Sequence, residues 1–257
     1  GLRQLRTLPV AGAAVPPEWA PVEVPCLAAV RPAWVEHALA QGAERVLLSS
    51  CFESCAVGQS ESAAGTADYC RELLGAIGAD PDLVRYAQPE GREGLVELLA
   101  QSGPADRPEV GPAGAPGELA GAGGEHRAAG YLARNAGFAG TTTVLHPAAR
   151  AGIVRIEHSA CTGCLTCVDV CPPRALLSKA EDGRVAISFD AEGCTGCGLC
   201  EERYPEKEFG AIAVERGVVV GAEPVREVIF SDAEAMCEVC GKPIAPNAML
   251  QKVEEVL

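Results

Sequence analysis

Along this 257-residue chain, apolar positions follow one rhythm up to about residue 103 and a different one after residue 152. In the first stretch, short apolar runs alternate with segments of helical period. VEVPCLAAV (22–30), RVLLSS (45–50) and LVRYA (83–87) read as strands, the last the weakest. Between them, Pro32 sets the first turn of a helix whose Trp34, Val35, Ala38 and Leu39 share one face, and Gly42 stops it. Tyr69, Leu73 and Ile77, four apart, mark a second helix ending near Gly78. Leu95, Val96, Leu98 and Leu99 mark another, closed by Gly103. Strand–helix alternation predicts a small parallel sheet with helices packed on it, and ligands gather at the carboxyl ends of such strands. Cys26 and Cys51 fall at two of those ends.

The rhythm then stops. From Gly103 to Gly124, 11 of 22 residues are Gly or Pro, so the composition predicts a linker. GAGGEH inside it lacks the third glycine of a dinucleotide fingerprint, the lysine of a phosphate loop and a preceding strand. Residues 126–151 are ambiguous and compatible with one short helix. The tail predicts a strand at VREVIF, and Met249, Leu250, Val253, Val256 and Leu257 recur at helical spacing. The chain starts at Gly1 and stops inside that apparent helix without a stop signal, so it reads as a piece of a longer polypeptide. The expected layout is an α/β small parallel-sheet domain (1–103), a linker (104–130), a connecting segment (131–151), an α+β cysteine-rich domain (152–221) and a CxxC-bearing tail (222–257).

Composition narrows the function. With 48% hydrophobic residues the chain is globular, and no apolar run reaches the length of a membrane span. No secretory signal peptide is visible, which predicts a cytoplasmic protein. A formal charge of −14 argues against a nucleic-acid partner, whose phosphates would repel it. Thirteen cysteines exceed any need for disulfides in a chain this long, and point to metal. No serine triad, paired-carboxylate site or nucleotide fingerprint accompanies them, and the four histidines show no ligand spacing.

CTGCLTCVDVCP sets Cys161, Cys164, Cys167 and Cys171 at C-x2-C-x2-C-x3-C, followed by Pro172. Thiolates two residues apart in a tight loop converge on one face of an iron–sulfur cube, and the intervening amides reach its sulfides. CTGCGLCEERYP repeats the run at Cys194, Cys197 and Cys200, but Tyr204 stands fourth, before Pro205. CFESC places Cys51 and Cys55 after a strand; with Cys26 they are open to roles as buried cysteines, metal ligands or redox thiols. Cys237 and Cys240 in CEVCGKPI form a knuckle that supplies two thiolates, half of a structural zinc site. An iron site or metal-free thiols are the alternatives there.

Over about residues 152–221 the chain resembles the bacterial two-cluster ferredoxins. In that family the fourth cysteine of each run serves the other run's cluster. The resemblance implies one complete [4Fe–4S] site from Cys171, Cys194, Cys197 and Cys200. It leaves Cys161, Cys164 and Cys167 facing Tyr204. That second site could be a [3Fe–4S] cluster, a [4Fe–4S] cluster with a non-cysteine ligand, or a labile or lost site. Over about residues 20–101, VPCLAAVRPAWVEHALAQGAERVLLSSCFESC, LLGAIGADPDLVRYAQ and EGREGLVELL resemble the hydrogenase iron–sulfur subunit family. Its type member is the delta subunit joining methyl-viologen-reducing hydrogenase to heterodisulfide reductase. This resemblance implies a [2Fe–2S] cluster on Cys26, Cys51 and Cys55. Two features depart from it: SCFESC stands where the family has GCxPGDC, and the family's amino-terminal cysteine pair would lie before Gly1. A fourth ligand would then be Cys70, otherwise read as a packed core cysteine, or a residue outside the chain.

Together the resemblances imply an electron-transfer subunit of an anaerobic oxidoreductase complex. It would pass electrons between a flavoprotein or heterodisulfide-reductase-like partner and a hydrogenase, formate dehydrogenase or similar enzyme. The alternatives are a thiol–disulfide oxidoreductase using Cys51 and Cys55, and an iron–sulfur sensor or regulatory module.

Overall fold

A computed structural model of the chain describes residues 16, 19–22, 24–50, 60–101, 124–221 and 226–257. Its first part holds helix α1 (Pro32–Ala40), strand β1 (Val46–Ser49), helix α2 (Ser60–Ala76), strand β2 (Val84–Ala87) and helix α3 (Gly91–Gln101). β1 and β2 pair in parallel, Val46 opposite Val84. Residues 22–30, read as a strand, instead carry a short 3-10 turn at Leu27–Ala29 that opens on an extended Cys26. Pro25 has no amide hydrogen to give a ladder, yet Val24 and Leu27 still pack on the core.

The helix faces follow the apolar pattern with one offset. Tyr69 and Leu73 are buried along α2, as are the adjacent Cys70 and Leu74, and Ile77 is buried just past its end. In α1, Val35 and Leu39 are buried as expected, but Trp34 is 54% exposed and Glu36 is fully buried in its stead. The cause is a neighbour that the sequence left ambiguous. Residues 124–135 form helix α4 (Gly124–Asn135), which begins inside the stretch 104–130 read as linker. α4 lies against α1, where the Asn135 amide donates to the Ala40 carbonyl at 2.7 Å. Its Ala129, Leu132 and Ala133 complete the first core.

Strand β3 (Thr141–Leu145) follows, then β4 (Gly152–Ile156), hairpin β5 (Leu176–Glu181) and β6 (Arg184–Asp190), long strand β7 (Ile212–Gly221), β8 (Arg226–Met236), β9 (Pro243–Pro246) and helix α7 (Asn247–Val256). One-turn helices α5 (Thr166–Asp169) and α6 (Leu199–Glu202) sit in the two cysteine runs. The strands form a sheet of order β3-β7-β4 and another of order β5-β6-β8-β9. β7 therefore belongs to two neighbourhoods. Its far end pairs with β3 and puts Val218 and Val220 in the first core, while its near end pairs with β4 and puts Ile212 in a second core. The strand predicted in the tail is longer than VREVIF, and it extends the hairpin sheet by pairing with β6. The second core is where the thiols are: Cys161, Cys167, Cys194 and Cys200 pack among Val154, Leu176, Ile187, Phe189 and Phe230.

Candidate iron–sulfur site

The two cysteine runs fold alike because their backbones make the same unusual turns. Two residues after the first cysteine stands a glycine with left-handed φ, Gly163 at 68° and Gly196 at 61°. Two residues further on, Leu165 (63°) and Gly198 (75°) are left-handed as well, each ahead of its one-turn helix. Glycine takes such φ values without strain, whereas Leu165 bears a modest cost. These turns aim amides inward. The Gly196 amide donates to Cys194 Sγ at 3.5 Å, and the Gly163 amide does the same for Cys161.

The loops are held from different sides. A Cβ on Gly196 would lie 2.7 Å from the Ala151 carbonyl oxygen, so this loop is pressed against the start of β4. A Cβ on Gly163 would meet the Pro246 ring at 3.0 Å and the Phe230 ring at 3.1 Å, so the first loop lies beneath the tail. His158 stacks on the same Phe230 with ring centroids 5.2 Å apart.

Cys171, Cys194, Cys197 and Cys200 line one cavity, closed by Val154, Leu176, Leu199 and Val214. Cys171 thus lies with the second run although it belongs to the first, and its Sγ accepts the Ala175 amide at 3.3 Å. Burial raises the Cys194 thiol and pushes Cys200 up to about 11, with neighbouring thiols adding to both. Crowded thiols of this kind release protons when iron arrives to neutralise them. The four donors suit the cofactor: four sulfurs, an apolar wall and inward amides are what a [4Fe–4S] cluster requires.

At the first run, Cys167 is pushed up to about 12, by burial first and then by the nearby Cys161, Cys164 and Cys200. Position 204 supplies no thiol. Tyr204 is 4% exposed. Its hydroxyl donates to the Ala160 carbonyl at 3.1 Å and accepts the Thr162 amide at 3.3 Å. Burial raises its pKa, and the nearby Cys161 and Cys164 act in the same direction. Beside it, Glu206 Oε2 is buried without a hydrogen-bond partner, in a depression shared with Thr162, Met249 and Lys252.

Residues around the two cysteine runs are similar to the 4Fe-4S dicluster domain. That family model matches residues 153–205, and the model of the methyl-viologen-reducing hydrogenase delta subunit (FlpD) matches residues 3–97. No curated protein matches the chain. The delta-subunit segment and the dicluster domain together support an iron–sulfur electron-transfer role, and the dicluster domain supports [4Fe–4S] clusters. Among the described residues, no helix is long and apolar enough to cross a membrane.

The remaining predicted residues are scattered. Cys51 and Cys55 lie outside the described residues, as does the glycine- and proline-rich stretch 102–123. Cys26 is half-buried ahead of its 3-10 turn, whereas Cys70 is buried on α2. The Cys70 thiol is raised well above its usual value by burial and then by Glu36 and Glu125, surroundings that oppose a thiolate. Cys237 and Cys240 flank the turn between β8 and β9. The amides of Cys240 and Val239 bond to the Cys237 sulfur and lower its pKa, the arrangement of a metal knuckle. Among the described residues, no three His, Cys, Asp or Glu converge as ligands of a single metal ion.

Sequence reasoning missed a buried polar group between α1, α2 and α4. The Glu36 carboxyl lies close enough to the Tyr69 hydroxyl for that hydroxyl to oppose the rise in its pKa, while Glu125 Oε1 is buried without a hydrogen-bond partner. Glu125 Oε2 accepts the Arg150 amide at 2.5 Å. Burial, then the Glu125 carboxylate, raise Glu36 well above the usual carboxylate range. Glu36 does stand three residues before Leu39 and four before Ala40, a buried position by spacing, which was the one available sign.

Proposed function

We propose that this protein is an iron–sulfur subunit that passes electrons between a flavoprotein or heterodisulfide-reductase-like partner and a hydrogenase, formate dehydrogenase or similar redox enzyme. The observation that carries the reading is the single cavity lined by Cys171, Cys194, Cys197 and Cys200, four sulfurs drawn from both runs. These residues would hold a [4Fe–4S] cluster, and Cys161, Cys164 and Cys167 a second one. Bound clusters supply one-electron transfer with little rearrangement. The chain's own part is to orient the thiolates, direct amides at sulfur and keep water off the apolar side through Val154, Leu176 and Val214. No bond-making residue is required of it. Catalysis belongs to the partners, and the cysteine load suits a reducing cytoplasm.

Residues 1–103 would form the partner-specific module, with Cys26, Cys51 and Cys55 holding a [2Fe–2S] cluster whose fourth ligand lies outside this set. The burial of Cys70 beside two carboxylates favours its role as core. Residues 152–221 would form the dicluster domain. In the tail, 222–257, the amides directed at Cys237 support a structural Zn2+ held by Cys237 and Cys240 with ligands from elsewhere.

The test is anaerobic reconstitution of the full chain with ferrous iron and sulfide, then metal and sulfide analysis, EPR, and rapid mixing with reduced methyl viologen. Bleaching of cluster absorbance with the appearance of a reduced [4Fe–4S] signal is expected. A chain that binds no iron, or whose clusters accept no electron from the viologen, overturns the reading.

A further inference from the structure

Tyr204 occupies the one position at which the two cysteine runs differ in ligand chemistry, and its hydroxyl is already engaged. It donates its proton to the Ala160 carbonyl and accepts the Thr162 amide, the two residues that flank Cys161. A phenol binding iron would have to lose that proton and with it the bond to the Ala160 carbonyl, one of the two hold points of the loop. The two loops also differ in what secures them. The second is pressed against the Ala151–Gly152 backbone, so it needs no side chain at an equivalent position. The first touches Pro246 and Phe230 at Gly163, and Tyr204 braces the residues just before that contact.

We infer that Tyr204 is a positioning residue and not an iron ligand, so the first run offers a cluster only the three thiolates of Cys161, Cys164 and Cys167. This inference rests on the electron-transfer reading above. One iron of a cube bound there would carry no protein thiolate, and it is the iron that leaves on oxidation. The balanced step is [4Fe–4S]2+ → [3Fe–4S]+ + Fe2+ + e−, with ferricyanide as the one-electron acceptor. No Fe–Sγ bond to the chain breaks, because the departing iron has none. The second site, with four thiolates, keeps all its irons. Ferrous iron and one electron from dithionite reverse the step.

The experiment uses the full chain, anaerobically reconstituted, titrated with ferricyanide and followed by EPR, Mössbauer spectroscopy and released iron. Wild type is expected to release one iron per chain and develop a three-iron signal, while its other cluster remains a diamagnetic cube. Tyr204→Cys should abolish both the release and the signal. Tyr204→Phe should still convert, since no ligand has been removed, but should lose the first cluster several-fold faster without its loop bonds. If wild type resists oxidation and Tyr204→Phe converts, the phenol is a ligand and the inference is overturned. An empty first site beside an intact second cluster overturns it too, and leaves the electron-transfer reading standing. Loss of both clusters refutes that reading and this inference together.

Discussion

At the scale of single residues, Cys171 and Glu36 make opposite points about what position in the chain conveys. Cys171 is written into the first run but lines the second run's cavity. Cys171→Ser is therefore expected to damage the cluster of Cys194, Cys197 and Cys200 and to spare the one on Cys161, Cys164 and Cys167. EPR of the reconstituted variant, with three-iron conversion of the first cluster intact and the ordinary reduced signal lost, is the check. Glu36 is a buried acid whose folded pKa is raised, chiefly by burial. Its contribution to stability is fully present below its unfolded value near 4.5 and is lost as pH rises toward the folded one. His126 is buried with a lowered pKa and works the other way, costing stability as pH falls below 6.5. Glu36→Gln should thus raise the melting temperature by a few degrees at about pH 8, roughly 1 kcal/mol or more, with the gain vanishing toward about pH 4. Thermal unfolding of both proteins across that range measures it.

Among the elements, the turns decide more than the strands. Gly196→Ala would place a Cβ 2.7 Å from the Ala151 oxygen at a left-handed φ of 61°. The expected cost is about 2 kcal/mol or more, because the obstructing atoms are backbone and cannot swing aside. Calorimetry should register it as a lower melting temperature, and iron analysis as a poorer yield of the second cluster. The elements also show where sequence was legible. β1, α1, α2, β2 and α3 were readable because each carries its own apolar period, and the cysteine runs because their ligands are local. The 22–30 segment was not readable as a turn: its apolar residues do pack on the core, and only Pro25 argued against a ladder. α4 was only half legible: its face is well segregated, but that face is built from Ala128, Ala129, Leu132 and Ala133 with Glu125, His126 and Gly130, so no run of large apolar residues marks it as core. Tyr204 could be recognised as a missing thiol, but its bonds to Ala160 and Thr162 are made across more than forty residues and leave no local mark.

For the whole molecule, β7 is the element that prevents the chain from behaving as two independent modules. Val218 and Val220 anchor one core and Ile212 the other, on a single continuous strand. Stripping the clusters with chelator and reductant is expected to loosen β4 and the near end of β7, and through them β3 and α4. Hydrogen exchange should show protection falling by several-fold in 124–145 as well as in the cysteine loops. Exchange confined to the loops would mean that the strand transmits nothing.

The cover over the first loop bears on the order of events during synthesis. Phe230 and Pro246 pack against Gly163, but they emerge from the ribosome more than sixty residues later. Until they arrive, β6 lacks β8 and the first loop is open to solvent, whereas the second loop's support at Ala151 and Gly152 has already been made. If Cys161, Cys164 and Cys167 hold a cluster as proposed, its iron and sulfide would meet the least obstruction in that interval. Once the tail has folded back, Pro246 and Phe230 cover the Gly163 side of the loop, so a cluster there would have to enter from the other sides.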